Sequence, residues 1–204
     1  NVGFVNTSKN WDNWNTIVNS LQKTDDAIKI AMVGKYVTLA DSYVSVNEAL
    51  KHASASIGRS VNIDWIDSET LNGNLKQLDN FDGVLVPGGF GTRGSEGIID
   101  TATYALEKNI PYLGICFGFQ LAAIAFGRKM CNLENANSTE IVADTKHPII
   151  DLLPEQKDET DMGGSLRLGA NEIKINQDSL AYKIYNSDKI FKRHRHRYEF
   201  NTKY

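Results

Sequence analysis

The sequence predicts an α/β fold, a doubly wound and mostly parallel sheet with helices on both faces. Three observations carry this. Short apolar runs alternate with segments whose apolar residues recur at helical spacing. Val84-Leu85-Val86-Pro87 is apolar almost throughout, as a parallel strand covered on both faces should be. Glycines follow directly on strand ends, at Gly88-Gly89 and around Cys116, where ligand sites of such sheets lie.

Taken in order, residues 1–26 read as a polar, Asn-rich lead-in. Within it Trp11, Trp14, Ile17, Val18 and Leu21 mark one amphipathic helix expected to lie on the domain, which spans 27–204. Ile28 to Gly34 reads as the first strand and Lys35 to Tyr43 as a loop. Ser45-Val46-Asn47-Glu48 fits a capping box. Val46, Ala49, Leu50, Ala53 and Ile57 then form the expected buried face of a helix ending at Gly58. Strands follow at 61–66 and 84–87, a helix at about 94–108, and a strand at 112–115 expected near the sheet centre. After about residue 131 the strand candidates are short, near 140–143, 165–168 and 171–176. Glu155 to Asp161, within 155–164, reads as a mobile surface loop.

The chain has 204 residues, enough for one domain with a core, and a net charge of −3, which leaves no nucleic-acid footprint. No apolar run approaches a membrane span and no signal-peptide pattern is present. Two cysteines make a poor disulfide framework, so a reducing cytoplasm is the expected compartment, with Cys131 an inert structural thiol.

Gly114-Ile115-Cys116-Phe117-Gly118 has the form of a nucleophile elbow with Cys in place of Ser. A sharp strand-to-helix turn strains the nucleophile's backbone, and neighbours lacking Cβ avoid the clash. The turn leaves the sulfur at a helix N-terminus, where dipole and free N–H groups favour thiolate. A buried Cys between packing glycines is the plain alternative. Pro87-Gly88-Gly89-Phe90-Gly91 can bring backbone N–H groups close to a ligand. If it faces Cys116, one such N–H joins that of Phe117 as an oxyanion donor. No Walker lysine is present to support a phosphate loop. His194 and His196 share one face of a strand and Arg193, Arg195 and Arg197 the other. No Cys or third His lies nearby in sequence, so no metal site is assigned.

These stretches resemble the class I, triad-type glutamine amidotransferases, and more narrowly the C-terminal glutaminase domain of the CTP synthases. The resemblance covers nearly the whole chain from Ala27. It is carried by Val33-Gly34-Lys35-Tyr36 with Asp41-Ser42-Tyr43, by Val86 to Gly94, and by Gly114 to Gln120. Further blocks are Glu134 to Glu140, Met162 to Gly169, and Arg193 to Glu199. The resemblance implies a flavodoxin-like fold and a Cys116 nucleophile that forms a γ-glutamyl thioester with L-glutamine. It implies Gly89 and Phe117 as oxyanion donors, and Gly89, Phe117, Gly118, Phe119, Gln120, Glu140 and Arg197 as substrate-binding positions. Read without the family, Glu140 fits a surface carboxylate and Gln120 a helix-start residue.

The resemblance also implies that this domain needs no cofactor of its own, ATP, Mg and UTP being used by a synthetase domain of the same polypeptide. Activation by GTP and a homo-tetramer are implied for the complete protein. Arg93 and Glu96 are candidates for a GTP-responsive lid, or simply exposed charges at a helix start. One departure stands out. The family completes its triad with a His-Pro-Glu motif, whereas this chain has only His52, His147, His194 and His196. The match stops at about Asn201, so a further stretch carrying the base is expected, and the 204 residues alone are expected to be poorly active. Two competing readings follow: a non-catalytic amidotransferase-like module, and a γ-glutamyl hydrolase or cysteine peptidase on the same fold.

Overall fold

Four parallel strands form the main layer of the computed structural model, which describes residues 11–22, 27–39, 41–71, 73–152 and 167–204. They are β1 (Ile28–Gly34), β2 (Val61–Asp67), β3 (Gly83–Val86) and β4 (Tyr112–Gly114), in the spatial order β2-β1-β3-β4. All three pairings are parallel, with Met32 between Trp65 and Leu85, and Leu85 beside Leu113. This order is that of flavodoxin-like sheets, with the crevice expected beyond the carboxyl ends at β1 and β3.

Side chains of successive strand residues point to opposite faces, and each face has its own core. On one, Met32 and Leu85 pack with Tyr43, Val46, Leu50 and Trp65, under helix α2 (Val44–Ser56). On the other, Ala31, Val33, Val84 and Val86 pack with Ile98, Ile99, Phe117, Leu121 and Ile124, under α3 (Ser95–Lys108) and α4 (Phe117–Met130). Each fully buried large side chain here contributes roughly 1.5–3 kcal/mol. The elements therefore follow from the alternation of strand residues, and the doubly wound fold is borne out.

Beyond α4 lie β5 (Asn137–Ser138), β6 (Pro148–Leu152), β7 (Arg167–Lys174), α5 (Leu180–Tyr185), β8 (Lys189–His196) and β9 (Tyr198–Phe200). β5, β6 and β9 form a small mixed sheet, and β7 with β8 an antiparallel ribbon. Helix α1 (Asp12–Gln22) precedes the sheet and contacts α2.

Several expectations are corrected. The strand leading to Cys116 is not central, because among the described residues β4 has a sheet neighbour on one side only, and Leu113 is 56% exposed. The capping box does not form. Helix α2 begins two residues earlier, after Tyr43, with no side-chain cap. Its packed stripe runs through Val46, Leu50 and Ser54, while Ala49, Ala53 and Ile57 are exposed, so the buried face is rotated from the one expected. Helix α1 does lie against α2, but its apolar residues are exposed. Residues 140–143 form turns, the adjacent strand being Asn137–Ser138, and 167–174 is one strand where two candidates were read. Cys131 is exposed, not a structural core thiol. The expected loop at 155–164 lies outside the described residues.

Candidate active site

Cys116 stands between the end of β4 and the first turn of α4 with φ 53° and ψ −106°. That is a costly conformation for a residue with a Cβ, held only because its surroundings impose it. The two flanking glycines show how. A Cβ on Gly114 would lie 2.5 Å from the Gly118 carbonyl carbon, and one on Gly118 would overlap the Val86 carbonyl oxygen. Helix α4 thus sits directly on β3 and β4, and the chain can enter it only through this turn.

The glycine loop after β3 meets the elbow. A Cβ on Gly88 would touch that of Cys116 at 3.8 Å, and one on Gly89 would touch the Phe117 ring at 3.5 Å. Both glycines and Cys116 line a cavity of about 960 Å³, shared with Gln120, Glu140, Arg197 and Tyr198. A second cleft of about 490 Å³ meets it at Cys116, Gln120, His196 and Tyr198 and carries Phe119. Gly118 is buried against β3 and lines neither, and its carbonyl accepts from Tyr112 Oη at 3.0 Å. The structure therefore gathers Cys116, Gly89, Gln120, Glu140 and Arg197, and leaves Gly118 and Phe119 outside the larger cavity.

Polar contacts fix these groups. Glu140 Oε1 accepts from the Gly91 N–H at 2.6 Å, so the carboxylate is tied to the glycine loop instead of being a free surface charge. Gln120 is buried and its Nε2 donates to the Tyr198 carbonyl at 2.8 Å. The same carbonyl lies 3.0 Å from His196 Nδ1, which must donate because a carbonyl only accepts. In the neutral ring Nε2 is then an acceptor, satisfied by His194 Nδ1 at 2.8 Å. Burial, followed by the His196 and Arg167 charges, holds the His194 pKa below its usual value. Among the described residues no group of three or more His, Cys, Asp or Glu could hold a metal ion.

The thiol does not behave as the helix N-terminus suggested. Cys116 is exposed to solvent, yet partial burial pushes its pKa up. The Phe117 N–H opposes this with a hydrogen bond, and the Glu140 carboxylate adds to the rise. Desolvation outweighs the helix end here.

Sequence reasoning passed over Lys35. Its ammonium donates to the carbonyls of Phe90 at 2.9 Å and Gly91 at 2.6 Å, and lies 4.2 Å from the centre of the Phe117 ring. The available signal was a lysine placed immediately after an apolar strand run. Arg93 pairs with Glu69 and donates to the Lys35 carbonyl, and Glu96 pairs with Arg128.

The family model for glutamine amidotransferase class-I matches residues 38–204. The chain belongs to the class I glutamine amidotransferases. It is 53% identical over 193 residues to the CTP synthase of Halalkalibacterium halodurans, covering 94% of this chain and 36% of that one. It is 46% identical over 204 residues to the CTP synthase of Pyrococcus abyssi, covering 100% of this chain and 38% of the relative. The amidotransferase chain thus spans little more than a third of these relatives. Among solved structures, the Trypanosoma brucei CTPS glutaminase domain with bound acivicin matches with a TM-score of 0.80 and 37% identity, over 87% of this chain and 70% of that one. Sequence and structure together mark the chain as a CTP synthase-type amidotransferase domain. No helix among the described residues is long and apolar enough to cross a membrane.

Proposed function

We propose that this domain hydrolyses L-glutamine through a γ-glutamyl thioester on Cys116. The ammonia then serves the ATP-dependent amination of UTP to CTP by a synthetase portion of the same polypeptide. The observation that carries this is the strained Cys116 at the mouth of α4, opening on a cavity that also holds the Gly88-Gly89 loop, Glu140 and Arg197.

The zwitterionic end of glutamine calls for a carboxylate toward its ammonium and a cation toward its carboxylate, which Glu140 and Arg197 supply. The Cys116 thiolate attacks the side-chain amide carbon. Negative charge gathers on the amide oxygen, and the N–H groups of Gly89 and Phe117 receive it. The C–N bond breaks as the nitrogen takes a proton, and ammonia leaves. Water then attacks the thioester, releasing glutamate and the free thiol. A general base must move these protons. His196 is unsuited to it here, since both its ring nitrogens are engaged. A thiol nucleophile suits a reducing compartment, and the cytoplasm is proposed on that ground. ATP, Mg and UTP belong to the synthetase portion, as do GTP activation and tetramer assembly to the complete protein.

The test is Cys116→Ala in the complete enzyme, with CTP formation measured from glutamine and from ammonium chloride. Glutamine use should be abolished and ammonia use retained, with a stability loss of only about 1 kcal/mol. Retained glutamine use would favour a non-catalytic module. Equal loss with both nitrogen sources would make Cys116 structural. No UTP-linked activity in either form would point to a hydrolase or peptidase.

A further inference from the structure

Lys35 follows β1 and reaches across the carboxyl ends of the strands to the loop after β3. It is 95% buried as a residue, an uncommon place for a lysine. Its two carbonyl contacts fall on consecutive residues, Phe90 and Gly91, directly after Gly89. The Phe90–Gly91 peptide is therefore held from both sides, its carbonyl by Lys35 and its N–H by Glu140, and Lys35 also holds the carbonyl of the next peptide. The same ammonium lies over the ring of Phe117, whose backbone N–H reaches the sulfur of Cys116.

We propose that Lys35 is a positioning residue for glutamine hydrolysis, fixing the glycine loop against Phe117 so that the two proposed oxyanion donors keep their spacing. This rests on the thioester reading above. Lys35 itself touches neither Cys116 nor the space where the amide would react. Apart from Lys35 and Glu140 the loop has little to hold its shape at Gly91, which has φ +76° and nothing within 4 Å of where a Cβ would lie. A cation reading two adjacent carbonyls resists that flip, because turning either peptide would bring an N–H toward an ammonium. Burial holds the Lys35 pKa down at about 8, partly relieved by Glu140, so the group remains a cation at neutral pH. Oxyanion donors act on the charge that develops in the transition state. Their misplacement should therefore lower kcat and leave KM nearly unchanged.

The experiment compares Lys35→Met, Lys35→Gln and Lys35→Arg in the complete enzyme, with glutamate release and ammonia-dependent CTP formation followed separately. Lys35→Met should lower kcat for glutamine by about 10–100-fold with KM changed less than about threefold. Lys35→Arg should recover part of the loss, and ammonia-dependent turnover should stay at the parent level in each. Met also removes a buried charge, so the fold is expected to survive. Should it not, Lys35→Gln is read by the same split. Unchanged kcat, or a rise in KM alone, overturns the positioning role while Cys116→Ala still abolishes glutamine use. If Cys116→Ala keeps glutamine use, the thioester reading itself has failed.

Discussion

Helix α4 and the segment β8–β9 both present side chains to the cavity at Cys116, yet they are held there by different forces. Helix α4 packs through Phe117, Leu121, Ile124 and Ala125, all 2% exposed or less, onto two strands it touches without intervening side chains. The ribbon of β7 and β8 alternates between intermediate and exposed residues, and α5 buries none. Its neighbourhood is tied to the rest by hydrogen bonds: the antiparallel pairing of β9 with β6, and the side-chain contacts of Gln120 to the Tyr198 carbonyl, Arg167 to Glu199 and Asn201 to the Pro148 carbonyl. Cys116 is set by close packing, which tolerates almost no displacement. The wall that carries Arg197 is held by hydrogen bonds, each with a net contribution of about 1 kcal/mol. Such a division gives the cavity a close-packed wall on the side of the sulfur and a hydrogen-bonded wall opposite.

The largest expected effect tests that contrast with two glycines. Gly118→Ala forces a Cβ into the carbonyl of Val86, which already accepts from Ile115 N–H at 2.9 Å, so relief would break a contact at the elbow itself. The cost should be about 3 kcal/mol or more. Gly169→Ala, at φ +81° in β7 with nothing within 4 Å of the new Cβ, meets only backbone strain of about 1–2 kcal/mol. Denaturant unfolding of the two variants measures both. Equal losses would break the comparison.

The hydrogen-bonded wall is probed by Gln120→Leu. It removes the donor to the Tyr198 carbonyl, which keeps His196 as a partner, so the loss should be about 1 kcal/mol and local. Hydrogen–deuterium exchange should quicken over 194–200 and stay unchanged over β1 and β3. Faster exchange throughout the sheet would show that the wall and the core unfold as one unit.

The same division explains what could be read from the sequence. Strand and helix positions in the parallel layer were legible, because burial on two faces imposes long apolar runs and the elbow imposes glycines at 114 and 118. Gathering of Gly89 and Cys116 followed from both lying at carboxyl ends. The ribbon region was read poorly. Its strands bury little, so 140–143 looked as strand-like as 137–138, and nothing local shows that 167–174 is one strand. Helix α2 is placed but rotated, since Ala49 and Ala53 suit either face and only packing against Tyr43 and the Trp65 of β2 decides. The edge position of β4 depends on strand order, which local sequence does not encode. Lys35 was missed because its partners are backbone carbonyls, which carry no residue signature. The Cys116 thiol was assigned the wrong direction because desolvation is a property of the assembled cavity.

The smallest effect follows from that thiol. With its pKa raised, Cys116 carries less thiolate at a given pH than a cysteine in an unstructured peptide. Only the thiolate reacts with iodoacetamide, so the rate should climb with pH and reach its midpoint above that of the peptide. The causes can be separated. Burial is the first and Glu140 a lesser one, acting through its negative charge. Glu140→Gln removes that charge, which favours the thiolate, so the midpoint should move down. It should not reach the peptide value, because burial of the sulfur is unchanged. Gln120→Leu removes no charge and should leave the midpoint in place, even though it loosens the opposite wall. A Cys116 midpoint at or below the peptide's would mean that the end of α4 and the Phe117 N–H outweigh desolvation. The fixed side of the cavity would then activate the sulfur before any substrate arrives, and closure of the wall carrying Arg197 would have no part in forming the thiolate.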